Sequence, residues 1–188
     1  MNREDFLMTK QDIIYLDSGA TTLKPKVLSE AISEYYNDYT ANAHRGDYDI
    51  SLKVDTLFER TRYLVSNFIN ANTNEVAFTN NATDSLSKIV LGFFEDYLEE
   101  GDEVLITKAE HASNVLPWFE LAKRKKIIIH YIPLDEHLKV TLENVKKAIT
   151  PKTKVISLAH VTNVVGDVRP IKEITKLAHD ENILVVCD

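Results

Sequence analysis

Four places in this 188-residue sequence set polar side chains directly after an apolar run, and each could do chemistry. The run "EVAFT" is followed by "NNATDS". A helix opening at Ala82 would leave its first backbone N–H groups free and turn the positive end of its dipole outward, and Thr83 would add a hydroxyl. That combination is a phosphate cradle. The same residues also read as an ordinary capped helix, with Asn81 as the cap. The run "EVLIT" is followed by "KAEHASN", where the His111 imidazole could stack on a planar ring or move a proton, or simply stand at a helix entry. After "KVISLA" comes "HVTNVVGD". There Asn163 could hydrogen-bond a ligand oxygen, or belong to a plain turn around Gly166. After "ILVVC" comes Asp188, a carboxylate that is costly to desolvate unless a cation pairs with it, and costs nothing if solvated.

Chemistry at these points requires elements that bring them together. The apolar patterning predicts strands over 13–16, 75–79, 103–107, 127–132, 154–159 and 183–187. It predicts helices over 25–39, 82–97, 114–125, 141–149 and 170–181. A further helix after residue 50 carries Val54, Leu57, Phe58, Leu64, Val65 and Phe68 at three- and four-residue intervals, one apolar stripe. Alternating strands and helices define an α/β fold with a mostly parallel sheet flanked by helices. In such sheets ligands sit beyond the carboxyl ends of the strands, where all four polar exits fall.

Composition removes several classes. With 22 basic and 29 acidic residues the formal charge is −7, which argues against nucleic acid as a partner. The basic run Lys123–Lys126 closes a predicted helix, where it complements the dipole. No apolar stretch reaches transmembrane length, the N-terminus lacks the apolar core of a signal peptide, and the single cysteine, Cys187, excludes an internal disulfide framework; no membrane partner and a cytoplasmic location are expected. Cys187 is expected to be a small buried hydrophobe within its strand. The glycines at 19, 46, 92, 101 and 166 form no dinucleotide-binding motif, and the six His show no metal-ligand spacing, so no metal is expected.

Taken together, a phosphate cradle, a ring-stacking His, an Asn for a ring oxygen and an Asp for a ring nitrogen are what pyridoxal phosphate requires. The stretches "YLDSGAT" (15–21), "YNDYTANAHRGDYDIS" (36–51), "FTNNATDS" (78–85), "GDEVLITKAEHASNVLPW" (101–118), "VTNVVGDVRPIKEI" (161–174) and "ILVVCD" (183–188) make the resemblance specific. The chain resembles the N-terminal half of a class V aminotransferase-fold enzyme, nearest the cysteine desulfurases of the SufS type. The resemblance implies part of the large domain of the fold-type I, aspartate aminotransferase-like enzymes. Residues 1–50 would form an N-terminal segment with a substrate-pocket and dimer loop, and residues 51–188 the first part of the cofactor-binding domain.

By the same resemblance Ala82 and Thr83 would bind the cofactor phosphate and His111 would stack on the ring and serve catalysis. Asn163 would contact the ring hydroxyl oxygen, and Asp188 would pair with the ring nitrogen. Gly19 and Ala20 would line the substrate pocket, and His44 and Arg45 would approach it from a loop near a dimer interface, a loop that also reads as plain surface. The implied reaction converts L-cysteine to L-alanine and leaves a persulfide on the enzyme for iron–sulfur cluster assembly, in a homodimer that passes sulfur to an acceptor protein. The sequence departs from the family pattern at Asn81, where Gly is usual, at Ala112, where a second His is common, at Asp84, where Glu is common, and at Gly19, often Ala. Asn81 is expected to meet any left-handed backbone requirement there better than other non-glycine residues.

The lysine that carries the cofactor, the nucleophilic cysteine and the arginine for the substrate carboxylate lie further along in the family. The expectation is therefore a piece cut just after Asp188 and inactive by itself. Selenocysteine lyase, kynureninase-like and epimerase-like activities remain open, as does a non-catalytic module that self-associates.

Overall fold

A computed structural model describes residues 2–188. The chain divides into two compact units, Met1–Phe78 and Thr79–Asp188. Residue 50 lies in the first turn of a helix of the first unit.

The second unit holds the sheet. Its strands are β1 (Glu103–Ile106), β2 (Ile128–Tyr131), β3 (Thr153–Leu158) and β4 (Leu184–Cys187), all parallel, in the order β2-β1-β3-β4. This is the α/β fold with a parallel sheet that the patterning predicts. Successive side chains of a strand point to opposite faces, and both faces are packed. Val104 and Ile106 of β1 join Val155 and Val186 in one core. Leu105 joins Ile156 and Leu158 in the other.

Helices cover each core. On the first lie α3 (Ala82–Lys88), a π turn (Ile89–Phe93), α4 (Phe94–Tyr97) and α5 (Ala112–Lys125), contributing Leu86, Val90, Phe94, Trp118 and Leu121. On the second lie α6 (Leu142–Ala148) and α7 (Ile171–Asp180), contributing Val145, Ile174 and Ala178. The expected single helix over 82–97 is continuous but contains the π turn. Its residues separate into a buried row, Leu86, Val90, Phe94 and Leu98, and an exposed row, Ile89, Phe93 and Tyr97. The extra residue in a π turn shifts the phase of the face, so the apolar positions of this run do not all reach the core.

The first unit contains α1 (Lys26–Asp38) and α2 (Asp49–Ile69) but none of the strands expected there. Residues 13–16 pair with nothing among the described residues, and Ile14 and Leu16 are 87% and 89% exposed. Residues 75–79 are extended at Val76 but also unpaired: the Val76 carbonyl accepts a hydrogen bond from the Arg62 guanidinium on α2, and Phe78 packs edge-on against Phe58 at 5.0 Å. A β-prone run becomes a strand only when a neighbouring strand takes up its backbone groups. The stripe expected on α2 is split: Leu57, Leu64 and Phe68 are exposed, Phe68 by 91%, while Val54, Phe58 and Val65 are half-buried, and the helix's only buried residues are Ser51 and Ser66.

Candidate cofactor site

The loops leaving the carboxyl ends of β1, β3 and β4 are laced together. Beyond β1, Thr107 and Glu110 precede His111, the N-cap of α5. His111 Nδ1 accepts the backbone N–H of Ser113 at 3.2 Å and lies 2.5 Å from the Ser113 hydroxyl. An acceptor Nδ1 places the imidazole proton on Nε2 and fixes the ring plane at the helix entry. The cap of this helix is the histidine itself, so His111 stands at the helix entry.

Asn81 caps α3, accepting the Asp84 N–H on its side-chain oxygen at 2.9 Å. Its backbone is extended (φ −173°, ψ 175°), so the left-handed requirement that would favour glycine does not arise. The N–H groups of Ala82 and Thr83 find no acceptor among the described residues. Asp84 accepts from Lys88 Nζ at 2.7 Å and from the Asn80 backbone N–H at 3.1 Å; these donors hold its carboxyl below the ordinary range and offset its negative charge beside the free amides. Thr83 and His111 line one concavity between α3 and α5, with Ser87, Leu116, Pro117 and Glu120 among its walls; Ala82, Asn163 and Asp188 do not line it.

Asn163 lies in the turn after β3. Val161 and Val168 form an antiparallel bridge at its base, Thr162 N–H bonds Asp167 O at 3.1 Å, and Gly166 takes a φ of +73° that few other residues adopt. Asn163 is exposed. Asp188 is fixed through its backbone: its N–H donates to Leu158 O at 3.0 Å, and its carbonyl accepts from His160 N–H at 2.9 Å. Its side chain is exposed, so no desolvation cost attaches to it in this chain. Cys187 is exposed rather than buried; partial burial of its thiol, then the neighbouring Asp188 carboxylate, pushes the thiol above its usual range.

The remaining candidates belong to the first unit. Gly19 and Ala20 are exposed in a turn closed by Ala20 N–H to Asp17 O at 3.1 Å. His44 adopts φ +59°, donates its backbone N–H to Asp55 at 2.6 Å, and holds its ring between Asp55 and Glu59 of α2, edge-on to Phe58. Arg45 is exposed. A Cβ on the neighbouring Gly46 would lie 2.5 Å from the Tyr48 ring and 2.8 Å from Ser51 Oγ, so only glycine fits.

Beneath the strand exits lies a cluster that no sequence motif announced. Glu110 and Arg169 pair with both side chains wholly buried. Residues 59 positions apart leave no spacing to read. Among the described residues no group of His, Cys, Asp and Glu is arranged to hold a metal ion.

The model of the class-V aminotransferases matches residues 14–188. The chain belongs to the class-V aminotransferase family. Within that family it is 38% identical over 186 residues to a Pyrococcus abyssi protein named "Probable cysteine desulfurase", covering 99% of this chain and 46% of that protein. A Halalkalibacterium halodurans protein of the same name is 36% identical over 177 residues, covering 94% and 44%. Among solved structures, the apo cysteine desulfurase from Thermococcus onnurineus NA1 superposes with a TM-score of 0.92 at 35% identity, covering 99% of this chain and 46% of that one. The class-V chain thus spans less than half the length of these relatives.

Proposed function

We propose that this class-V chain contributes the ring- and phosphate-binding residues of a pyridoxal-phosphate-dependent cysteine desulfurase. The observation that carries the reading is the shared concavity of Thr83 and His111, next to strand exits whose backbones are joined as far as Asp188. The donor set fits the group. Two free amides and a hydroxyl at a helix start suit a phosphate dianion. An imidazole held at one nitrogen offers a fixed face for an aromatic ring. A carboxylate at a strand end accepts a charge-assisted hydrogen bond from a protonated ring nitrogen.

In this reading the Ala82 and Thr83 N–H groups and the Thr83 hydroxyl bind the phosphate. His111 lies against the ring face and keeps water from that side. The Asn163 amide donates to the ring oxygen, and Asp188 holds a proton on the ring nitrogen. Pyridoxal phosphate, when bound, supplies an electron sink conjugated to the substrate α-carbon. Gly19, Ala20, His44 and Arg45 are assigned to the substrate pocket. L-Cysteine is the proposed substrate, with a homodimer, transfer of sulfur to an acceptor protein and a cytoplasmic setting as parts of the same reading. Cys187 is not assigned the sulfur-accepting role; partial burial and the neighbouring Asp188 carboxylate push its thiol above the usual range, the opposite of activation.

The test is the product of the full-length gene product supplied with pyridoxal phosphate and L-cysteine. The reading predicts alanine in one-to-one yield with released sulfur. Pyruvate and ammonia in place of alanine, or no turnover, would refute desulfuration.

A further inference from the structure

We propose that the buried Glu110–Arg169 pair is a positioning device that sets His111 and the Asn163 turn at a fixed separation across the sheet edge. The inference rests on the cofactor reading above and adds two residues to it. All four acceptor directions of the Glu110 carboxylate are used. Oε1 takes the Thr107 hydroxyl at 2.6 Å and the Arg169 guanidinium, while Oε2 takes the Asn114 amide at 3.0 Å and the Ala159 backbone N–H at 2.7 Å. Those donors come from the β1 exit, helix α5, the β3 exit and the far end of the turn.

Arg169 extends the same cross-link. Its guanidinium also donates to Thr107 Oγ1 at 3.1 Å and to the Ala159 carbonyl at 3.3 Å, and its backbone N–H closes the turn on His160 O at 2.9 Å. The Asn114 oxygen in turn accepts from the buried Ser157 hydroxyl on β3 at 2.6 Å. His111 follows Glu110 directly in the chain, and Asn163 lies between the two clamped ends, His160 and Arg169. Replacing a buried ion pair by apolar groups is often neutral for stability, so a buried pair whose carboxylate is fully bonded, while Arg169 Nε is left without a partner, is better explained by the geometry it enforces than by stability.

The test compares the full-length wild type with Glu110→Gln and Arg169→Lys. In Glu110→Gln the new NH2 must face one donor that cannot turn away, either the Ala159 N–H or the Arg169 guanidinium. In Arg169→Lys the charge stays but the fork is lost. Amide hydrogen exchange is read without cofactor on peptides covering 108–113 and 160–169. Pyridoxal phosphate is then titrated, and the induced circular dichroism of the bound cofactor is recorded at saturation.

The expected result is exchange faster by about tenfold in both peptides of Glu110→Gln, with β2 unchanged. Arg169→Lys loosens the 160–169 peptide. In both variants the cofactor signal at saturation changes amplitude, which a merely weaker fold would not produce. Unchanged exchange in 160–169, or a saturated signal identical to wild type in both variants, overturns the proposal. A wild type that takes up no pyridoxal phosphate refutes the cofactor reading instead, and the exchange result still decides whether the pair ties the two segments. Should Glu110→Gln fail to fold, Arg169→Lys carries the comparison alone.

Discussion

The side chain of Asp84 illustrates how much local bonding decides at a single residue. Lys88 and the Asn80 N–H hold its carboxyl below the ordinary range. A depressed carboxylate contributes stability that is present above its unfolded-state value and lost as pH falls through the lower folded-state value. Following the Asp84 carboxyl by NMR, the acid midpoint should rise toward the ordinary carboxylate value in Lys88→Met; an unmoved midpoint would show that Lys88 is not the cause. Cys187 shifts the other way. With its thiol pushed up, alkylation near neutral pH should run slower than for a free cysteine and speed up only in more alkaline solution. Rates equal to those of free cysteine would contradict this. That His111, Asn163 and Asp188 lie on the segments leaving β1, β3 and β4 was legible, because each comes within a few residues of a recognisable strand. Glu110 and Arg169 were not, because their partners come from four segments that only the fold brings together.

Among elements, the four sheet strands were legible because each is an apolar run alternating with helical patterns, β1, β2 and β3 being followed by a helix and β4 preceded by one, the pattern of a parallel sheet covered on both faces. "IIYL" and "EVAFT" carry the same propensity but have no ladder partner among the described residues, and propensity alone does not supply one. The π turn at Ile89–Phe93 was hidden because apolar spacing continues through it while the buried face changes phase. At the start of the same helical run, Asn81→Ala should cost about 1 kcal/mol in denaturant unfolding and Asn81→Gly only a few tenths, since the lost cap is the side-chain bond to the Asp84 N–H. Equal losses in the two would point to backbone rather than capping. In the loop before α2, Gly46→Ala should destabilise the first unit, because the added carbon would meet Tyr48 and Ser51 inside 3.0 Å; faster amide exchange across 44–51 is the readout, and wild-type exchange would contradict the clash.

For the molecule as a whole, the two units differ in how they treat apolar surface. The sheet unit buries its cores on both faces. The first unit leaves Ile14, Leu16 and Phe68 almost fully exposed, together with much of the α2 stripe. Exposed apolar area of this kind drives association, so the isolated chain should sediment as larger species as its concentration rises, and a strictly monomeric chain at high concentration would contradict that. The central claim is that Thr83, His111, Asn163 and Asp188 act as one binding site. The most direct test is equilibrium titration of the full-length gene product with pyridoxal phosphate, followed by cofactor absorbance. Saturable uptake at one cofactor per chain, weakened by both His111→Ala and Asp188→Ala, is the predicted result; uptake that neither substitution alters, or no uptake at all, would contradict it.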